Sequence, residues 1–82
     1  MIAWAVADVN FNMKKLGQKL RTLRQQRSLT LRQLADLLGV HNTHLNKIEL
    51  GKKRPSSDLI LQIANLFDVT ADQLMRDDLD LD

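Results

Sequence analysis

Between positions 42 and 47 the chain sets out Asn42, Thr43, His44, Asn46 and Lys47 around a single leucine, Leu45. Asparagine pairs bidentately with the edge of adenine, an ammonium reaches the acceptors of guanine, and threonine offers a hydroxyl together with a methyl that suits thymine. Setting Leu45 and Ile48 inward on a 3.6-residue wheel turns Thr43, Asn46 and Lys47 outward, with Asn42 exposed on the leading turn. Asn42, Thr43 and Lys47 lead this stripe, and His44 and Asn46 fall at its edges. The chemistry on offer is hydrogen bonding to base edges. An ordinary solvent-facing helix carries the same residue types, so the reading depends on what mounts the stripe.

The mount is legible in Leu31 to Ile48, LRQLADLLGVHNTHLNKI. Leu34, Ala35 and Leu38 give one helical stripe, and Val40, Leu45 and Ile48 give a second, with Gly39 between them. Ala35 is small where a second helix must come close, and glycine takes the positive φ that ends a helix sharply. This is the signature of a helix-turn-helix, whose second helix lies in the major groove of DNA. Thr30 with Gln33 forms a capping box that starts the first of the two helices. The free amides and dipole over Thr30 to Gln33 favour an anion, so a phosphate is expected there, unless Gln33 is wholly spent in its box. Arg32, Lys52, Lys53 and Arg54 are the charged phosphate candidates, and Lys or Arg before a proline is equally an ordinary solvated loop.

Around this motif the chain reads as helices throughout. Lys14 to Gln26 is the first, with Leu16, Leu20 and Leu23 on one face and Lys15, Lys19 and Arg21 expected in solvent. Ser28-Leu29-Thr30 breaks it. The third helix is expected from about Asn42 to Leu50, ending near Gly51. Pro55-Ser56-Ser57-Asp58 supplies a stop, a cap and an acid for a fourth, whose inward stripe is Ile60, Ile63, Ala64 and Phe67. Thr70 with Gln73 is a second capping box for a short fifth helix ending near Met75. Three regions follow: 1–12 as an amino-terminal arm or extension, 13–76 as the domain, and 77–82 as an acidic tail expected to fray. In the first region Ile2, Trp4 and Val6 alternate with alanines. The segment reads either as an arm packed on the domain or on a partner chain, or as an extension upstream of a start at Met13. An exposed Trp4 beside Ile2 would be a sticky patch, which favours the packed arm.

Composition excludes several classes. Hydrophobic residues are 44%, charged residues 27% and aromatics only 4%, so the core of one small all-α domain must be aliphatic. Cysteine is absent, which removes disulfides and Cys-based zinc sites and fits a reducing compartment. The opening residues are too short to span a bilayer and lack the basic start of a secretory signal. The net charge of +2 conceals segregation, with 11 Lys/Arg against 2 acids from Met13 to Arg54 and 1 against 7 from Pro55 onward. A basic block around such a motif can track phosphates while the acidic end points away. No catalytic constellation or phosphate-binding glycine loop is present. His41 and His44 at i,i+3 lack a third metal ligand, so neither metal nor cofactor is expected.

The stretches LGQKLRTLR, LTLRQLADLLGV, LNKIELGKKRP and IANLFDVTADQLM agree in order and spacing with one family. Leu16 to Met75 resembles the Cro/C1-type (XRE-like) helix-turn-helix domains of phage and bacterial repressors. The resemblance implies a five-helix lambda-repressor-like fold and a recognition helix beginning at His41-Asn42-Thr43. It further implies a homodimer acting on an inverted-repeat operator of double-stranded DNA, in a cytoplasm of bacterial or phage type. It also implies an ion pair, Arg24 with Glu49, bridging the first helix to the end of the third. There are departures. His41 stands where a Ser or Thr cap is usual, so Asn42 could serve as the cap and be lost as a base reader. Leu31 replaces a polar residue that commonly reaches phosphate. Ser57 replaces an apolar residue, and Asp68 a glycine.

Two roles beyond a stand-alone repressor stay open. The same fold serves as an antitoxin or protein-interaction module, gripping a protein partner with the arm or the acidic tail. Non-specific coating of nucleic acid fits the basic block but not a recognition helix bearing Asn, Thr and His. A dimer surface is expected around Leu74 and Met75, or at Ile2 and Trp4.

Overall fold

In the computed structural model, which describes residues 13–81, five helices follow one another: α1 (Leu16–Gln26), α2 (Leu31–Leu38), α3 (Asn42–Glu49), α4 (Ser57–Phe67) and α5 (Ala71–Met75). No strand occurs among the described residues, and none of their helices is long and apolar enough to cross a membrane. The arm expected over 1–12, with Ile2 and Trp4, lies outside the described residues.

Local chemistry starts most of the helices. Thr30 Oγ1 accepts from Gln33 N at 3.0 Å, and Gln33 Oε1 accepts from Thr30 N at 2.9 Å, completing the box ahead of α2. The same pair of bonds, 3.0 and 2.9 Å, joins Thr70 and Gln73 ahead of α5. Ser56 Oγ accepts from Leu59 N at 3.2 Å and caps α4. Such a cap stabilises by ~1 kcal/mol. Gly39 ends α2 at φ 71°, and Gly51 follows α3 at φ 77°. Asp68 ends α4 in the same left-handed region at φ 56°, where a short polar side chain is tolerated without glycine.

The core is the aliphatic one expected. Leu16, Leu20 and Leu23 of α1 meet Leu34 and Leu38 of α2, Leu45 and Ile48 of α3, and the stripe Ile60, Ile63 and Phe67 of α4. Leu45 and Ile48 are fully buried, and each such side chain stabilises by roughly 1.5–3 kcal/mol. Ala35 is 1% exposed, as the close crossing of α2 and α3 requires.

Four expectations are corrected. α1 starts at Leu16 rather than Lys14, because Met13 is left-handed at φ 57° and Lys14 and Lys15 form a turn, their amides donating to the Asp77 carboxylate at 3.1 and 2.8 Å. Lys19 is not in solvent; it is 8% exposed, and its ammonium donates to the carbonyls of Gln73, Arg76 and Leu79. The tail does not fray as far as Leu81, because those bonds hold it, along with Gln73 Nε2 to Leu81 O at 3.0 Å and Arg76 to Asp78 at 2.8 Å. Leu74 is fully buried in the core and so cannot lie on a surface for dimerisation as expected, while Met75 beside it is half-buried.

Candidate nucleic-acid interface

The turn between α2 and α3 builds the site. Gly39 reverses the chain, Val40 N returns to Ala35 O at 3.0 Å, and α3 leaves at once from His41. His41 occupies the cap position with extended backbone and makes no side-chain cap bond. Asn42 is therefore the first helical residue rather than the cap, and its amide side chain is exposed. With Leu45 and Ile48 buried, Asn42, Thr43, Asn46 and Lys47 are exposed and His44 is half-buried. The stripe read from the helical wheel is thus one continuous surface. Arg32, Asp36, His41 and Asn42 line a polar notch beside it, at the elbow of the motif.

The amino end of α2 stands next to this elbow. Thr30 and Gln33 are exposed, and their box consumes the Gln33 amide N–H, the Thr30 amide N–H and one oxygen of each side chain. The first intrahelical bond, Leu34 N to Thr30 O at 3.0 Å, comes after the amides of Leu31 and Arg32. Those two amides sit at the positive end of the helix dipole. Leu31 itself packs half-buried against the core.

On the other side of α3, Lys52, Lys53 and Arg54 are exposed on the loop before Pro55. Lys53 and Arg54 line a cavity together with Lys14, Gly17 and Ile48, which joins the loop to the start of α1. Lys14 is a basic neighbour that periodicity did not reveal, because only the tertiary fold brings 14 beside 53. Of the basic block, three members serve the fold instead. Lys19 holds the tail, Arg27 lies 5.4 Å over the ring of Phe67, and Arg24 pairs with Glu49.

The Arg24–Glu49 pair fixes the far end of α3. Arg24 Nε donates to Glu49 Oε2 at 2.7 Å and a terminal nitrogen donates to Oε1 at 3.1 Å, a bidentate fork. The other terminal nitrogen donates to Leu29 O at 3.0 Å, tying the chain just before α2 into the same group. The carboxylate side chain is only 5% exposed and the guanidinium 15%. Gly17, which sequence reasoning passed over, seats α1 on the same spot: a Cβ there would stand 2.5 Å from the carbonyl oxygens of both Ile48 and Glu49. No group of three metal-binding side chains exists among the described residues.

Comparison with known proteins places this arrangement among relatives. The family model described as Helix-turn-helix matches residues 20–74. An uncharacterized HTH-type transcriptional regulator of Mycobacterium tuberculosis is 38% identical over 58 residues, covering 71% of this chain and 41% of that protein. The restriction-modification controller protein C.AhdI of Aeromonas hydrophila superposes with a TM-score of 0.68 at 32% identity, over 77% of this chain and 96% of that one. The N-terminal DNA-binding domain of SinR from Bacillus subtilis shares the fold, with a TM-score of 0.71 at 24% identity over 80% of this chain and 97% of that one. The chain spans about half the length of the curated relatives it matches.

Proposed function

Because the chain belongs to the helix-turn-helix family, of the Cro/C1 type that its sequence resembles, we propose that it is a sequence-specific regulator of transcription, acting as a repressor, that inserts α3 into the major groove of double-stranded DNA. The observation that carries this is the exposed run Asn42, Thr43, Asn46 and Lys47 opposite the buried Leu45 and Ile48. A helix presenting amide, hydroxyl and ammonium groups along one open face, behind an uncapped amino end, matches what base edges ask for. Asn42, Thr43 and Lys47 are the principal readers, with His44 and Asn46 at the edges of the contact.

Phosphates on either side hold the helix in register. Thr30, through its hydroxyl hydrogen, and Gln33, through its amide nitrogen, flank the open amides of Leu31 and Arg32, while the Arg32 side chain reaches the same strand. Lys52, Lys53 and Arg54 grip the backbone beyond the far end of α3. Arg24 and Glu49 contribute support, not contact, since a carboxylate beside phosphates is repulsive unless it is already paired.

The protein acts in the cytoplasm as a homodimer. Its subunits meet on the apolar groove formed by Pro55, Ile60, Leu61, Ala71 and Met75, where Leu61 is 54% exposed. A single monomer mass at tens of micromolar without DNA would count against this interface.

Selection from random duplex DNA, repeated at low and moderate salt, tests the reading. The expected result is an enriched inverted repeat with half-sites about one helical turn apart. Binding without enrichment, lost steeply as salt rises, would reduce the protein to a non-specific coat. No binding at all would favour a protein-interaction module such as an antitoxin.

On the selected site, Lys47→Ala is expected to cost roughly 1–3 kcal/mol and to relax the preference at one base pair. Lys52→Ala should weaken all duplexes alike and lower the salt slope by about one. Binding isotherms over a salt series separate the two behaviours, and a uniform loss for Lys47→Ala would remove it from the base readers.

A further inference from the structure

Two charged groups tie the ends of the described chain together at opposite helix termini. The Lys19 ammonium donates to the carbonyl of Gln73 and, at 2.7 Å each, to those of Arg76 and Leu79. These carbonyls lie at and just beyond the carboxyl end of α5, where the helix dipole is negative. In return, the Asp77 carboxylate accepts from the amides of Lys14 and Lys15 at the positive, amino end of α1. Burial pulls the Lys19 ammonium below its ordinary pKa, and Asp77 opposes that pull. Among the described residues no buried polar side-chain atom is left without a partner.

The helix held by this clasp is the one that carries the far end of α3. Gly17 seats α1 on the carbonyls of Ile48 and Glu49, and Arg24 grips the Glu49 side chain. Both contacts reach α3 within one turn of Lys47. Segment 76–79, α1 and the carboxyl end of α3 are therefore joined by one continuous series of contacts, through side chains at the tail and by close backbone approach at Gly17.

We propose that Lys19 and Asp77 are positioning residues for DNA recognition: by fixing the start of α1, the clasp sets the pose of α3 and hence of its reading face. The functional half of this rests on the DNA-binding reading; the mechanical half does not.

Hydrogen exchange of the backbone amides tests the mechanical half in the full chain. Asp77→Ala removes two accepted bonds from a half-buried side chain and leaves the core untouched. It is expected to speed exchange over residues 47–50 by about fivefold, the low end of coupling between linked sites, while Ile63 and Ala64 in α4 keep their protection. Asp77→Asn, which retains one acceptor oxygen, should recover part of the lost protection. Acceleration confined to residues 13–16 and 76–79 would overturn the proposal, and so would equal acceleration throughout α4. Lys19→Met repeats the test from the other partner; should it fail to fold, Asp77→Ala still decides. On DNA, Asp77→Ala should lose about fivefold affinity for the selected site and less than about twofold for an unrelated duplex at equal salt. Proportional loss on both duplexes overturns the functional half. If the parent chain selects no site, the DNA-binding reading fails separately, and exchange still decides the coupling.

Discussion

Replacing Arg24 by alanine is expected to cost about 3–5 kcal/mol of folding stability, because it strands a carboxylate that is nearly inaccessible to water. Glu49 keeps 5% of its side-chain surface exposed and draws both of its close charged bonds from the one guanidinium. The loss is compounded at Leu29 O, whose bond from Arg24 disappears as well. Small domains command ~5–15 kcal/mol in total, and at the low end of that range this loss populates the unfolded state heavily. Urea unfolding followed by circular dichroism reads the loss, and DNA titration of the same variant should show affinity falling with it. Arg24→Lys is not a rescue, since an ammonium cannot reproduce the two-pronged fork. Pairing Arg24→Met with Glu49→Leu is the informative control. Removing both charges leaves nothing stranded, so stability should return to within about 1–2 kcal/mol of the parent even though the ion pair is gone. A fully stable Arg24→Ala that binds DNA normally would show the pair to be dispensable.

The second large effect is expected at Gly17. Alanine in mid-helix normally gains ~1 kcal/mol over glycine. Here the added methyl would stand 2.5 Å from two carbonyl oxygens of α3, both backbone and so unable to rotate aside. Overpacking of this kind reaches about 3 kcal/mol, so the clash outweighs the propensity gain and Gly17→Ala should be destabilised by about 2 kcal/mol. In a domain of this size that is a fall in Tm of about 10 °C or more, measurable by calorimetry. The relief available is for α1 and α3 to move apart. The variant should therefore bind its selected site less tightly even at temperatures where it is fully folded. A rise in Tm would mean that the two helices are farther apart than the contact implies.

These two residues mark where sequence reasoning succeeds and where it stops. Thr30 with Gln33, Gly39, and the stripe of Leu45 and Ile48 act over a few positions, and each is where the pattern put it. The helix-turn-helix is legible for that reason: its geometry is set by neighbours in the chain. Gly17 left only a faint trace, a glycine inside an otherwise helical run, which becomes meaningful once α3 is laid across it. Lys19 was more readable than its charge suggested. It sits three residues after Leu16 and four before Leu23, on the same inward stripe, and only the habit of assigning lysine to solvent hid it. Asp77 left no local trace at all. It caps amides 62 and 63 positions away, and an aspartate among other aspartates looks like a solvated tail. The residues proposed to read DNA lie between these cases, since their exposure is local and what they would meet belongs to another molecule.

The bonds between Lys14, Lys15 and Asp77 also settle a matter of topology. A domain whose entrance and exit are tied side by side has one point of attachment rather than two. A pull on residues 13–15 or 76–79 is met by the Asp77 carboxylate and the amides it holds, not across the paired helices α2 and α3. A load applied at either end is thus met at one corner, away from α3 and the turn that positions it.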